Sequence, residues 1–285
     1  MRRIGTGLFS AGAALYKARP PAGLADADGA FATLANDGIE RNFSMTALSV
    51  VVPVKDESGN AAPLAREIAA ALSAEPSCEI VFVDDGSGDA TAAELLALKS
   101  EMPSLRVIQH GRNIGQSRAI RTGVRAAHGE IVATLDGDGQ NDPGDIPRLL
   151  AVLRGAHEAE RVGLVSGVRV HRQDTANKRL ASGFANRFRR AMLKDGAVDA
   201  GCGLKVFRRD AYLALPYFDH MHRFLIALML REGYDVRYVE VEHRPRRHGA
   251  SKYKNFHRAV VGLIDTFGVR WLQTRFRGTV EAKEL

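Results

Sequence analysis

Two cysteines in 285 residues, Cys78 and Cys202, leave little scope for cystine or thiolate chemistry. They form no CxxC pair and no Cys/His cluster, so neither a disulfide framework nor a zinc site is expected, and a reduced cytosolic environment fits them. No run of 18 or more apolar residues occurs, so no transmembrane helix is expected. Aromatic residues are only 7% of the chain, with a single tryptophan. The charge, by contrast, is one-sided: +7 formally, with a pI near 9.6. That balance points to anionic partners, whether nucleotides, nucleic acid or a membrane surface. Sparse aromatics and the lack of a recognition motif count against nucleic acid. The remaining composition, 45% hydrophobic and 26% charged, is that of a globular protein long enough for one large α/β domain with extensions, or two small ones.

The first 44 residues carry little pattern. Residues 4–16, between Arg2/Arg3 and Lys17, faintly resemble the charged and apolar parts of a signal peptide, but Gly5, Thr6, Gly7, Ser10 and Gly12 dilute them and no cleavage site follows. Residues 20–44 are rich in Ala, Gly and Asp without a sustained period. Residues 1–44 are therefore expected to be a weakly ordered extension, with Met45 as the natural start of the domain.

The most informative stretch is Ile131–Asp142. An apolar, β-rich run stops at Asp136-Gly137-Asp138-Gly139-Gln140, two carboxylates one residue apart with a glycine after each. Oxygen ligands in that pattern suit a hard cation, Mg²⁺ or Mn²⁺, that keeps coordination sites for phosphates. An EF-hand starting at Asp136 would need Gly at its sixth position and Glu at its twelfth; Asn141 and Pro147 stand there, so a calcium loop is not expected. A lone Asp-x-Asp is equally compatible with an acidic turn of no chemical role.

Its neighbours decide between these. Leu48–Val54 is a β-branched run without alternation, as in a parallel strand buried on both faces. A helix is predicted from about Pro63 to Ala74, a strand over Glu79–Val83, a helix over Thr91–Leu98, a strand over Leu105–Ile108 and a helix over Gln116–Ala127. Alternation of this kind predicts a doubly wound, mostly parallel sheet with helices on both faces. Ligands of such sheets bind beyond the carboxyl ends of the strands, where Glu57, Asp84/Asp85 and Asp136/Asp138 all fall. Helix capping would account for one or two of these acids but not for all three sites.

Val52-Pro53-x-x-x-Glu57, Val83-Asp84-Asp85-Gly86-Ser87, Arg112-Asn113-x-Gly115 and Asp136-x-Asp138, in this order and spacing, resemble the family 2 glycosyltransferases of GT-A fold, and among them the polyprenyl-phosphate glycosyltransferases of the dolichol-phosphate mannose synthase group. The resemblance covers roughly 46–275. Later segments agree: Val165-Ser166-Gly167-Val168-Arg169 is similar to a strand ending in Gly-x-Arg, Gly201–Phe207 to a segment in which Lys205 replaces Arg, Asp219–Phe224 to a His-Arg-Phe element, and His243–Tyr253 to Pro-Arg-x-x-Gly-x-Ser-Lys-Tyr. From His243 to Arg258 there are six Lys/Arg and no acid. Such a run is often a solvated face, although Gly249, Ser251 and Tyr253 interrupt it with turn and hydroxyl chemistry.

The resemblance implies inverting transfer of a sugar from a GDP- or UDP-sugar to undecaprenyl or dolichyl phosphate, with Mg²⁺ or Mn²⁺. It implies Asp138, Gln140 and Asp136 as metal ligands, and Pro53, Lys55, Glu57, Val83, Asp85, Arg112, Asp136, Gly137 and Asp138 around the nucleotide. Arg169, Lys205, Arg246 and Lys252 would offset repulsion between donor and acceptor phosphates. Lys55 and Asp56 stand where the resemblance has Tyr-Asn, so the donor base stays open. Residues 45–254 would form the GT-A domain, and 255–285 an amphipathic helix and tail. Phe256, Val260, Leu263, Ile264, Phe267, Trp271 and Leu272 recur at threes and fours, which suits a membrane interface, docking on the core, or both together. A peripheral place on the cytoplasmic face of the inner membrane follows, aided by this tail or by a small membrane subunit. Two other functions compete. One is a family 2 transferase acting on a soluble saccharide or envelope polysaccharide; the other is a basic, non-catalytic binding protein.

Overall fold

The computed structural model describes residues 16–18, 47–75, 77–157, 160–170, 187–245 and 255–278. Its strands are β1 (Tyr16–Ala18), β2 (Leu48–Val54), β3 (Cys78–Asp84), β4 (Leu105–Gln109), β5 (Ile131–Thr134), β6 (Val162–Arg169), β7 (Lys205–Arg208) and β8 (Asp235–Val241). They form one sheet in the order β1-β8-β6-β7-β5-β2-β3-β4. The half containing β5, β2, β3 and β4 is parallel throughout, and β6 runs parallel to β8. Strand β7 is antiparallel to both β5 and β6, and β1 is antiparallel to β8. The sheet is thus mixed at these two places, a feature of long-range pairing that no local pattern announces.

Each central strand buries both faces, which is why β2 reads as a continuous apolar run rather than an alternation. Val51, Val81 and Val83 pack under helix α3 (Gln116–Ala126), in a layer completed by α6 (Arg209–Ala214) and α7 (Leu225–Arg231). Val50, Val52, Ile80 and Phe82 face the opposite way, against α1 (Ala61–Ala71), α2 (Thr91–Leu98) and α4 (Ile146–Arg154). Helix α1 begins two residues before the expected Pro63, which occupies its first turn, and stops at Ala71, short of Ala74. A helical segment at 187–193, α5, and the long α8 (Asn255–Arg275) complete the elements.

Within the 1–44 extension, Tyr16–Ala18 pairs with Val236–Tyr238 as an edge strand. The predicted apolar face of α8 also divides: Val269 is buried and Leu272 packs on the core beneath α7, whereas Val260, Leu263, Ile264, Phe267 and Trp271 are each more than 40% exposed. Docking therefore uses one side of the helix and leaves a second apolar stripe in solvent.

Candidate active site

Parallel pairing sets Val54 beside Asp84 and Val51 beside Thr134, so the chains leaving β2, β3 and β5 emerge along one edge. The turn after β5 then folds back over the end of β2. A Cβ on Gly137 would overlap the Val54 side chain and lie 2.9 Å from the Pro53 carbonyl oxygen. Only glycine permits that approach.

The acids on β3 divide their work. Asp84, fully buried, accepts from the Ser87 N–H at 3.0 Å and from Gln109 Nε2 at 2.9 Å, which shapes its own turn. Asp85 faces the next loop. Its carboxylate accepts from the Ile114 N–H at 3.0 Å and the Gly115 N–H at 2.8 Å, and lies 2.8 Å from His110 Nδ1. His110 Nε2 is in turn 3.0 Å from Thr122 Oγ1. Asp85 thereby fixes the Arg112-Asn113-Ile114-Gly115 turn. Beside this frame is an open cavity of about 310 Å³, lined by Gly86, Ser87, Gln109, His110 and Gly111.

On β2's exit, Lys55 Nζ donates to the Gly86 carbonyl at 3.0 Å and pairs with Asp56 at 3.3 Å. The Glu57 carboxylate accepts from Asn60 Nδ2 at 2.8 Å, while its N–H donates to Thr91 Oγ1 at 2.8 Å. Arg112 is exposed, and its main chain packs against Gly86. Val83 differs from expectation: its side chain is wholly buried under α3, so only its main chain reaches this edge.

Asp136 sits at the floor. Gln116 Nε2, from the first turn of α3, donates to Oδ1 at 2.8 Å, and Gly203 lies directly against the carboxylate. Burial, and next the charge of Asp138, push the Asp136 carboxyl above its usual range, with Lys205, Gln116 and Arg169 pulling the other way. Lys205 is only 5% exposed and donates to the Cys202 carbonyl. Burial lowers its ammonium from the usual range, while Cys202, Asp136 and Asp199 oppose that shift. Arg169 meets Asp199 in a two-pronged pair, Nε–Oδ2 2.7 Å and Nη2–Oδ1 2.8 Å. Both cations are thus already engaged by the protein, as buried charges must be. Neither is an open phosphate fork. Arg246 and Lys252 lie outside the described residues.

Asp138, 8% exposed, accepts from the Gln140 N–H at 3.1 Å. Gln140 Nε2 donates to the Arg244 carbonyl at 3.4 Å. No group of three or more His, Cys, Asp or Glu gathers as a metal cage among the described residues. The donor set instead fits an ion held by one or two carboxylates and completed by substrate phosphates, the habit of Mg²⁺ and Mn²⁺. Burial and, next, the Asp138 charge both penalise ionised Asp136, and a bound cation would relieve that.

Of the predicted residues, Pro53, Lys55, Glu57, Asp85, Arg112, Asp136, Gly137, Asp138 and Gln140 share this edge, with Arg169 and Lys205 behind Asp136. Residues not anticipated are Gln116, Gly203, Asp199 and His110. Gln116 opens a helix directly after Asn113-x-Gly115, and Asp199 precedes Gly201-Cys202-Gly203, but neither spacing says which distant partner it meets.

An open doubly wound sheet that carries an Asp-x-Asp turn on its carboxyl edge has the GT-A architecture. Solved structures share it: glucosyl-3-phosphoglycerate synthase from Mycobacterium tuberculosis, crystallised with Mn²⁺, UDP and glucosyl-3-phosphoglycerate, superposes with a TM-score of 0.61 at 19% identity, covering 79% of this chain and 80% of that one. The family model for glycosyl transferase family 2 matches residues 49–215, and the chain belongs to that family. Curated relatives include the dodecaprenyl-phosphate galacturonate synthase of Rhizobium johnstonii, 36% identical over 72% of this chain and 61% of the relative. The undecaprenyl-phosphate 4-deoxy-4-formamido-L-arabinose transferase of Pectobacterium carotovorum is 35% identical over 72% of this chain and 62% of the relative. The chain spans about three-fifths of the length of these relatives.

Proposed function

We propose that this protein transfers a sugar from a nucleotide-sugar donor to a polyprenyl phosphate, with inversion at the anomeric carbon. The carrying observation is the similarity, over 72% of the chain, to two transferases named for polyprenyl-phosphate products or acceptors. The carboxylate edge supports it. The nucleoside would lie across the frame set by Lys55, Glu57 and Asp85, beside the cavity at His110. Asp138 and Gln140 would hold Mg²⁺ or Mn²⁺, with Asp136 toward metal or donor; the ion's contribution is to neutralise the departing nucleoside diphosphate. The acceptor phosphate is ionised at neutral pH and needs no general base. It needs positive charge where two anions meet, supplied directly by Arg246 and Lys252, with Lys205 and Arg169, held by Cys202 and Asp199, contributing only their field from behind Asp136. Proximity and electrostatic preorganisation then account for the rate.

The acceptor's isoprenoid chain calls for a lipid surface. The exposed stripe Val260, Ile264, Phe267 and Trp271 on α8 touches α5 through Phe188, whose ring is 6.0 Å from that of Phe267. An exposed apolar stripe suits a membrane surface, which supports a peripheral position on the cytoplasmic face of the inner membrane, alone or with a small membrane subunit.

The test is a panel of UDP- and GDP-sugars assayed with and without undecaprenyl phosphate. Product should form only with the lipid phosphate. Arg246→Ala and Lys252→Ala should each reduce lipid glycosylation about ten- to hundredfold, as befits a charge-assisted contact. Transfer to soluble saccharides instead, undiminished by Arg246→Ala, would turn the reading to a saccharide-acceptor transferase.

A further inference from the structure

The chain leaving β8 does not run free past the Asp-x-Asp turn; it is stitched to it. Asn141 and His243 form an isolated antiparallel bridge. The Arg244 N–H donates to the Gln140 carbonyl at 2.8 Å, and Gln140 Nε2 donates back to the Arg244 carbonyl at 3.4 Å. Two residues before Arg244, the Glu242 N–H donates to Asp145 Oδ2 at 2.9 Å. The Arg244 side chain closes the arrangement. Its Nη1 donates to Glu67 Oε2 on α1 at 2.7 Å, and its Nη2 pairs with Asp142 Oδ2 at the end of the turn.

One guanidinium thus joins three elements that each border the site. Helix α1 follows directly from the Glu57–Asn60 loop, Asp142 closes the metal turn, and Arg244 opens the basic segment. An isolated surface ion pair would add little. Here the side chains are only about 30% exposed, two acids each engage one terminal nitrogen of one planar cation, and the main chain of Arg244 is already held. Arg244 also offsets two carboxylates that would otherwise add negative charge beside Asp136 and Asp138. Both of its terminal nitrogens are committed to protein carboxylates.

We propose that Arg244 is a positioning residue which, through Glu67 and Asp142, holds the Gln140–Asn141 end of the Asp-x-Asp turn in its ion-binding geometry and in register with the strand that leads into segment 246–254. The proposal rests on reading Asp136–Gln140 as the ion-binding turn of a transferase. It assigns Arg244 a different duty from Arg246, two residues on.

The test titrates Mn²⁺, with UDP or GDP present, into the full chain and its variants Arg244→Ala, Arg244→Lys, Glu67→Gln and Glu67→Gln/Arg244→Ala, reading free ion by electron paramagnetic resonance. Arg244→Ala should weaken Mn²⁺ binding about ten- to hundredfold, as loss of a group supporting a metal ligand does. Arg244→Lys should recover only part, because an ammonium cannot span both carboxylates in the same plane. The double variant should be no worse than Arg244→Ala, since both changes open one clamp. In turnover, the half-saturating Mn²⁺ concentration should rise while kcat at saturating Mn²⁺ is largely restored. Unchanged affinity in Arg244→Ala, additive losses in the double variant, a lower Tm with Mn²⁺ affinity intact, or a wild-type chain that binds no Mn²⁺ would each overturn the proposal. The transfer reading fails separately: the affinity order would hold while no donor in the panel glycosylates undecaprenyl phosphate.

Discussion

Gly203 presses against Asp136: a Cβ built on the glycine would collide with both carboxylate oxygens. Strand β7 begins two residues later at Lys205, so the segment that crowds the acid also delivers the cation that offsets it. Gly203→Ala should therefore displace Asp136 rather than unfold the sheet. A shift of about 1 Å at a reacting centre costs on the order of a hundredfold in rate. Steady-state kinetics beside a melting curve would check this, with kcat falling that far and Tm moving by a few degrees. Full activity in the alanine variant would mean that Asp136 has no positional role.

Asp138→Asn keeps shape and removes the charge that would hold a divalent ion. Metal assistance is worth several kcal/mol, so a loss of about a hundredfold or more in kcat/KM is expected. Chelation with EDTA should stop the wild-type enzyme, and Mn²⁺ or Mg²⁺ should restore it. Undiminished turnover in EDTA would remove the metal from the mechanism.

The exposed stripe on α8 should act on lipid rather than on chemistry. Phe267→Ser and Trp271→Ser each take away an apolar side chain whose burial in a membrane interface is worth about 1.5–3 kcal/mol. Sedimentation with anionic vesicles should weaken by about tenfold or more for each, while transfer to a short, water-soluble polyprenyl phosphate stays near wild type. Equal loss with both acceptors would place these side chains in the active site instead.

Acid sensitivity should centre on Glu79, at the opposite end of the strands from the site. Its Oε1 accepts from Ser49 Oγ and from the His128 N–H, both at 2.6 Å, and Oε2 pairs with Arg106. Burial alone would raise its carboxyl, but these hydrogen bonds and the Arg106 charge outweigh burial and hold it below the ordinary 4.5. A folded-state value below the unfolded one means that the stabilisation is complete above pH 4.5 and is lost as pH falls through the lowered value. Glu79→Gln should cost about 1.5–3 kcal/mol at pH 7 and flatten the acid limb of a Tm–pH curve below pH 4.5. An unaltered acid limb would assign the acid loss to other carboxylates.

Much of this arrangement is written locally. Runs buried on both faces, such as Leu48–Val54, declare parallel strands without help from the rest of the chain, and the rule that ligands sit at their carboxyl ends then gathers Glu57, Asp85, Asp136 and Asp138 from three separate motifs. Residue type and spacing were enough because each strand carries its own acid. Tertiary structure alone decided which charges are committed. Arg169 reads as a phosphate cation until Asp199, thirty residues on, occupies it; Arg244 reads as part of a basic run until Glu67, 177 residues away, claims it. The inversion of β7, and the division of α8 into a docked side and an exposed one, likewise depend on partners far along the chain. Hydrophobic periodicity records that a side chain is apolar or charged, but burial and pairing are properties of two surfaces, and the second surface comes into place only when the chain has folded.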